Sequence, residues 1–172
     1  MMESGEQTKI TGEIDRIVEE NKFGNDVESV LEILEWIKGN IRSERKPEVF
    51  RRRTAAEIVG NGWATGCTDF TLVFLVLARA AGIKAWYVEM LSREWLEKGG
   101  DPIVGHVIAE IEIKGKRYYV DAANLNIGLR HTSGMVIVDK GLDSWDIGIR
   151  NRQDMRKKFD GFRDGIGRDV TR

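Results

Sequence analysis

Fourteen consecutive residues, Thr68 to Ala81 (TDFTLVFLVLARAA), contain neither glycine nor proline. Phe70, Val73, Phe74, Leu77, Ala78 and Ala81 fall on one helical stripe, and Leu72, Leu75 and Val76 make much of the other side apolar too. A helix that is apolar nearly all round must be buried, so the rest of the chain has to fold about it. Gly82 follows as a stop signal, and Arg79 suits the negative end of the helix dipole. Ahead of the run stands Gly62-Trp63-Ala64-Thr65-Gly66-Cys67. The chain's one cysteine therefore sits at a helix N-terminus, beyond a glycine hinge. Unpaired N–H groups and the dipole favour a thiolate there. The competing reading is a buried structural thiol. What decides between them is whether a histidine and a carboxylate can reach it.

The composition excludes several other classes. Lys+Arg 27 against Asp+Glu 28 gives a net charge of -1, so nothing global points to nucleic acid or an anionic membrane. A single cysteine excludes an intrachain disulfide and cysteine-rich zinc sites. The N-terminus MMESGEQTK lacks the apolar core of a signal peptide, and no apolar run approaches the roughly 18 residues of a membrane span. A cytoplasmic location is the default expectation, and a domain of a longer protein would look the same. The length of 172 residues is expected to form one domain with a real core.

In chain order, Ile10, Ile14, Ile17 and Val18 predict a short helix that fades at Lys22-Phe23-Gly24. A second helix is expected from Asn25, with Glu28 completing a capping-box-like pair and Val27, Val30, Leu31, Leu34, Ile37 and Ile41 as its apolar stripe. Residues 42–53 (RSERKPEVFRRR) read as a solvated basic connector. Thr54-Ala55-Ala56-Glu57 is a capping box opening a short helix that ends by Gly60. After residue 82 the period changes from helical to alternating. Ile83 to Leu91 predicts a strand, Ser92 to Pro102 a loop, and Val104 to Ile113 with Lys116 to Ala122 an antiparallel hairpin around Lys114-Gly115. Met135 to Val138 adds a short strand, and residues 151–163 a helix with Met155, Phe159 and Phe162 on its docking face. Helices first and antiparallel strands later argue α+β: N-terminal helices and a buried cysteine-bearing helix packed on an antiparallel β-sheet.

Only two histidines exist. His131 lies in the irregular stretch Leu129 to Gly134, whereas His106 begins a strand. A two-residue turn at Lys114-Gly115 pairs Ile113 with Lys116 and so sets Ile108 opposite Asp121. His106 and Asp121 then share a face as diagonal neighbours, with Cα atoms about 7–8 Å apart, within reach of an imidazole–carboxylate hydrogen bond. A turn with an odd number of residues would put them on opposite faces. Cys67, His106 (39 residues later) and Asp121 (15 more) thus supply a thiol, a base and an orienting carboxylate, the set that nucleophilic acyl transfer needs. Asp139 and Asp143 are the alternatives for the third role, both otherwise read as surface turns.

The stretch Thr54 to Asn124, 71 of 172 residues, resembles the transglutaminase-like superfamily, whose members are similar to papain-like cysteine proteases in fold and triad. The matching pieces are AAEIVGNGWATGCTDFTLVFLVLARAAGIKAWYV, GHVIAEI and GKRYYVDAAN, around the cysteine, histidine and aspartate respectively. The chain departs from the family at Ile108, where an aromatic residue is frequent, and at Ala122, where a proline often follows the aspartate. The resemblance implies that Cys67 attacks, that His106 acts as base and then acid, and that Asp121 orients it. It also implies an oxyanion hole made by the Cys67 backbone N–H and one further donor. Trp63 and Asn61 are the local candidates, although by residue type Trp63 reads as a packing residue and Asn61 as a turn residue. A peptide or protein substrate is implied, with no metal or organic cofactor. Hydrolysis through an acyl-enzyme is the first expectation and transamidation of glutamine its rival. A non-catalytic binding module is the reading from a different class. The loop Ser92 to Pro102 and the stretch Gly141 to Trp145 are candidates to line a cleft. Trp86 reads as core.

Overall fold

The structure is a computed structural model that describes residues 2–170. Helix α1 (Gly12–Asn21) is capped by Thr11, whose side chain accepts from the Ile14 N–H. Helix α2 (Val27–Asn40) starts one residue later than the capping-box reading, because the Asp26 carboxylate takes the Ser29 N–H at 2.8 Å. Its buried face includes Val30, Ile33, Leu34 and Ile37, while Leu31 points to solvent at 48% exposure. The stripe is thus rotated toward Ile33 relative to the one read from the sequence.

Residues 42–53 are not a solvated connector. They contain strand β1 (Arg42–Ser43), a 3-10 turn (Pro47–Val49), and two arginines, Arg51 and Arg53, that are buried. Helix α3 (Ala55–Asn61) carries the expected capping box: the Glu57 N–H donates to Thr54 Oγ1 and the Thr54 N–H to Glu57 Oε2. Strand β2 (Trp63–Ala64) pairs in parallel with β1 and leads into helix α4 (Cys67–Ala80).

Helix α4 packs on α1, α2 and α3 along one side and on strands β3 (Lys84–Ser92) and β4 (Gly105–Ile113) along the other. Every residue from Leu72 to Ala78 is fully inaccessible, which accounts for the apolar composition on all its faces. Burying each of its larger side chains stabilises the fold by roughly 1.5–3 kcal/mol relative to exposure.

Between β3 and β4 lies helix α5 (Arg93–Lys98), where the sequence predicted a loop; Ser92 caps it, and burial of Trp95 holds it. Strands β5 (Lys116–Asp121), β6 (Asn126–Gly128) and β7 (Met135–Gly141) complete a five-stranded antiparallel sheet of order β6-β5-β4-β3-β7. Lys114 and Gly115 both take positive φ (51° and 78°), as a tight two-residue hairpin turn requires. Ile113 pairs with Lys116 and Ala109 with Val120, the register expected from the sequence. Val107, Ala109, Ile111 and Ile113 are buried on one face, leaving His106 and Ile108 on the other. Trp86 is not core but half-buried, its ring packed against the Arg117 guanidinium at 4.8 Å. Helix α6 (Arg152–Val170) closes the described chain, with Phe159 buried. Among the described residues no helix is long and apolar enough to cross a membrane.

Candidate active site

Cys67 opens α4 immediately after Gly66, whose φ of 98° lies where side chains other than glycine's are strained. The first-turn N–H groups of α4, that of Cys67 included, have no acceptor within the helix. His106 follows Gly105, where a Cβ would stand 2.8 Å from the Met90 carbonyl oxygen. That position admits only glycine if β3 and β4 are to meet at this end, so the backbone holding His106 lies tight against β3.

The imidazole Nε2 of His106 lies 2.7 Å from Asp121 Oδ2, and both side chains are largely buried, at 16% and 11% exposure. Asn124 fixes the carboxylate, its backbone N–H donating to Oδ1 at 3.1 Å and its amide to Oδ2 at 2.9 Å. With Nε2 engaged by Asp121, Nδ1 is the ring nitrogen left to serve the thiol. Hydrogen bonding to Asp121 and then to Cys67 pushes the His106 pKa up to about 10, against burial. Burial pushes the Asp121 carboxyl up, but hydrogen bonds from His106 and Asn124 outweigh it, and the group is held below the usual carboxylate range.

Cys67 and His106 line one cavity of about 190 Å³. Phe50, Ile103, Met155 and Phe159 line it too, and so do the buried Arg51 and Glu89. Arg51 takes a left-handed φ of 60°, and its backbone carbonyl is held by Trp145 Nε1–H at 2.7 Å. Its guanidinium donates to both oxygens of Glu89, and also to Tyr87 Oη and Ser144 Oγ, each at 3.1 Å. Sequence reasoning missed this pair. Its signal lay in the period of two: Glu89 shares the inward face of β3 with Ala85, Tyr87 and Leu91, and a carboxylate there needs a buried cation.

Trp63 and Asn61 do not line the cavity. Both belong to a second buried arginine. Arg53 stacks on the Trp63 ring at 3.7 Å, donates to Asn61 Oδ1 and to the Trp63 carbonyl, and pairs with Asp69 of α4 at 2.6 Å. Asp69 also accepts the Thr65 N–H, which ties the segment before Cys67 to the first turn of α4. Of the alternative carboxylates, Asp139 pairs with Lys158. Asp143 is fully buried rather than in a surface turn, accepting from the Gln7 N–H and the Thr8 hydroxyl. Neither lines the cavity or bonds to His106. Nor does the stretch Gly141 to Trp145; it acts through Ser144 and Trp145, which hold Arg51 from outside.

No curated protein matches the chain. Among solved structures it is similar to a "putative cysteine protease" from Cytophaga hutchinsonii, at 20% identity and a TM-score of 0.64, over 86% of this chain and 47% of that one. It also aligns with a "putative protease" from Parabacteroides distasonis at 19% identity and a TM-score of 0.49, over 64% of this chain and 23% of that one. The chain thus spans about half the length, or less, of these two structures. The first of them shares the fold: helices around a buried helix on an antiparallel sheet. Residues 15–122 match the sequence model of the transglutaminase-like superfamily, a stretch that reaches from α1 to just past Asp121 and covers more than half of the chain. The chain belongs to the transglutaminase-like superfamily.

Proposed function

We propose that the protein is a cysteine-dependent acyl-transfer enzyme acting at amide bonds, with Cys67 as nucleophile, His106 as base and acid, and Asp121 as the group that orients His106. The observation that carries this reading is the 2.7 Å contact between His106 and Asp121, in a cavity whose lining also holds Cys67. Asp121 favours the charged imidazole beside Cys67, and a cation there stabilises the negative charge of an attacking sulfur. The thiolate adds to the amide carbonyl, and the Cys67 N–H donates to the developing oxyanion. His106 passes its proton to the departing amine as the C–N bond breaks, leaving a thioester. Water then adds to the thioester and gives a proton to His106, and collapse releases the carboxylic acid and restores the Cys67 thiolate and the His106 imidazolium.

Hydrolysis is the favoured outcome over transamidation. The side chain at the position of the missing aromatic, Ile108, is buried against Val88 and Met90. Trp86 lies beside Arg117, away from the cavity. Ile108 also lines a separate cavity of about 300 Å³ with Tyr119, Asp121 and Arg130, but it is aliphatic and Trp86 does not reach that cavity, so neither gives an aromatic wall to a channel for an amine. The test offers a glutamine-containing peptide with millimolar primary amine and reads products by mass spectrometry. Cleaved or deamidated peptide that vanishes in Cys67→Ala is the expected result. Amine adducts in excess of hydrolysis products would instead establish transamidation.

A further inference from the structure

We infer that the cavity beside Cys67 is an acyl-side specificity pocket for one uncharged apolar group, and that its size is set by Met155 of the C-terminal helix. The inference rests on the acyl-transfer reading above. Cys67 and His106 are part of the cavity lining, so a carbonyl seated on the sulfur must direct one of its two substituents inward. The leaving group has to take a proton from His106 and diffuse away, whereas the acyl group stays through both steps; the inward substituent is therefore the acyl group.

At about 190 Å³ the space falls below the roughly 300–1,000 Å³ of pockets that take drug-sized ligands, so it holds a single side chain or short acyl chain. Phe50, Ile103, Met155 and Phe159 make its walls apolar. Its charged lining is already paired: Arg51 donates to Glu89, Tyr87 and Ser144, with only its Nε–H left over, Glu89 is bridged on both oxygens, and His106 is held by Asp121. A charged substituent would lose its hydration there and gain no counter-ion. Met155 and Phe159 belong to α6, outside the stretch 15–122 that matches the family model. Helix α6 is seated by an ion pair from Arg156 to Asp101, by Lys158 on Asp139, and by Arg163 on the Leu96 carbonyl.

The test measures pre-steady-state acylation of the full chain by p-nitrophenyl esters: acetate, butanoate, hexanoate, octanoate and the charged hemisuccinate. The thiolate displaces p-nitrophenolate, which takes up the proton at low pH, and the acyl group remains as a thioester. In the wild type, kcat/KM is expected to peak at butanoate or hexanoate, with octanoate and hemisuccinate at least about tenfold below the peak, the scale of a misfitting methylene or an unpaired charge. Met155→Ala moves the peak to octanoate, Met155→Trp lowers the hexanoate-to-acetate ratio at least about tenfold, and Met155→Leu retains the wild-type order. Circular dichroism confirms that each variant is folded. A burst that depends on Cys67 but whose chain-length profile is flat, or unmoved by Met155→Ala and Met155→Trp, overturns the pocket and leaves the acyl-transfer reading standing. The absence of any Cys67-dependent burst overturns both.

Discussion

His106 sits between two partners that both favour its proton, and this sets its behaviour with pH. Its folded pKa of about 10 lies above the ordinary imidazole value of about 6.5. The stability that comes from protonating it is therefore fully present below about pH 6.5 and is lost as the pH rises through about 10. Asp121 works in the opposite sense: its carboxyl is held low, so its contribution is present above its unfolded value and is lost as acid protonates it. The difference in Tm between wild type and His106→Ala should thus be largest near pH 6 and shrink toward pH 10. For catalysis, the alkaline limb of kcat/KM should fall near pH 10. A limb near 6.5 would mean that His106 titrates as an isolated imidazole. Asp121→Asn keeps the shape of the side chain but removes the charge that orients and stabilises the imidazolium, and it should lower kcat/KM by about 10²- to 10⁴-fold.

Helix α4 carries Cys67 at its start, and its first turn is pinned by a buried ion pair rather than by a side-chain cap. Burial pushes the Asp69 carboxyl up, opposed by the Thr65 N–H and by Arg53. Removing Arg53 would strand that carboxylate. Arg53→Ala should cost about 3–5 kcal/mol in urea unfolding, whereas Leu31→Ser on the open face of α2 should change stability by less than about 0.5 kcal/mol. Much of this was legible in the sequence where a local rule decides the outcome. Burial of α4 follows from its apolar faces. The meeting of His106 and Asp121 follows from a two-residue turn and a period of two, because one residue of slip would have parted them. The stretch 42–53 was not legible. Its arginines are buried by carboxylates far along the chain, Glu89 and Asp69, and a charge run carries no mark of a distant partner. Helix α5 was hidden by the turn signals Gly99, Gly100 and Pro102 that follow it, and burial of Trp95 is what makes so short a helix hold.

At the scale of the whole molecule, segments distant in sequence build one cavity. The N-terminal helices bury α4 and so aim its first turn, the β4–β5 hairpin brings His106 and Asp121 together, and the segment after residue 42 supplies Arg51 beneath them. Helix α6, from the far end of the described chain, adds the wall at Met155 and Phe159. The proposed function gives the thiol a role in chemistry rather than in packing. The direct measurement is the rate at which iodoacetamide alkylates Cys67 at pH 6, where an ordinary thiol is almost wholly protonated. Rapid alkylation is expected in the wild type, and a rate at least about tenfold lower in His106→Ala, because the imidazolium that would hold the thiolate is gone. Equal rates in the two proteins, or an inert thiol in the wild type, would contradict that role.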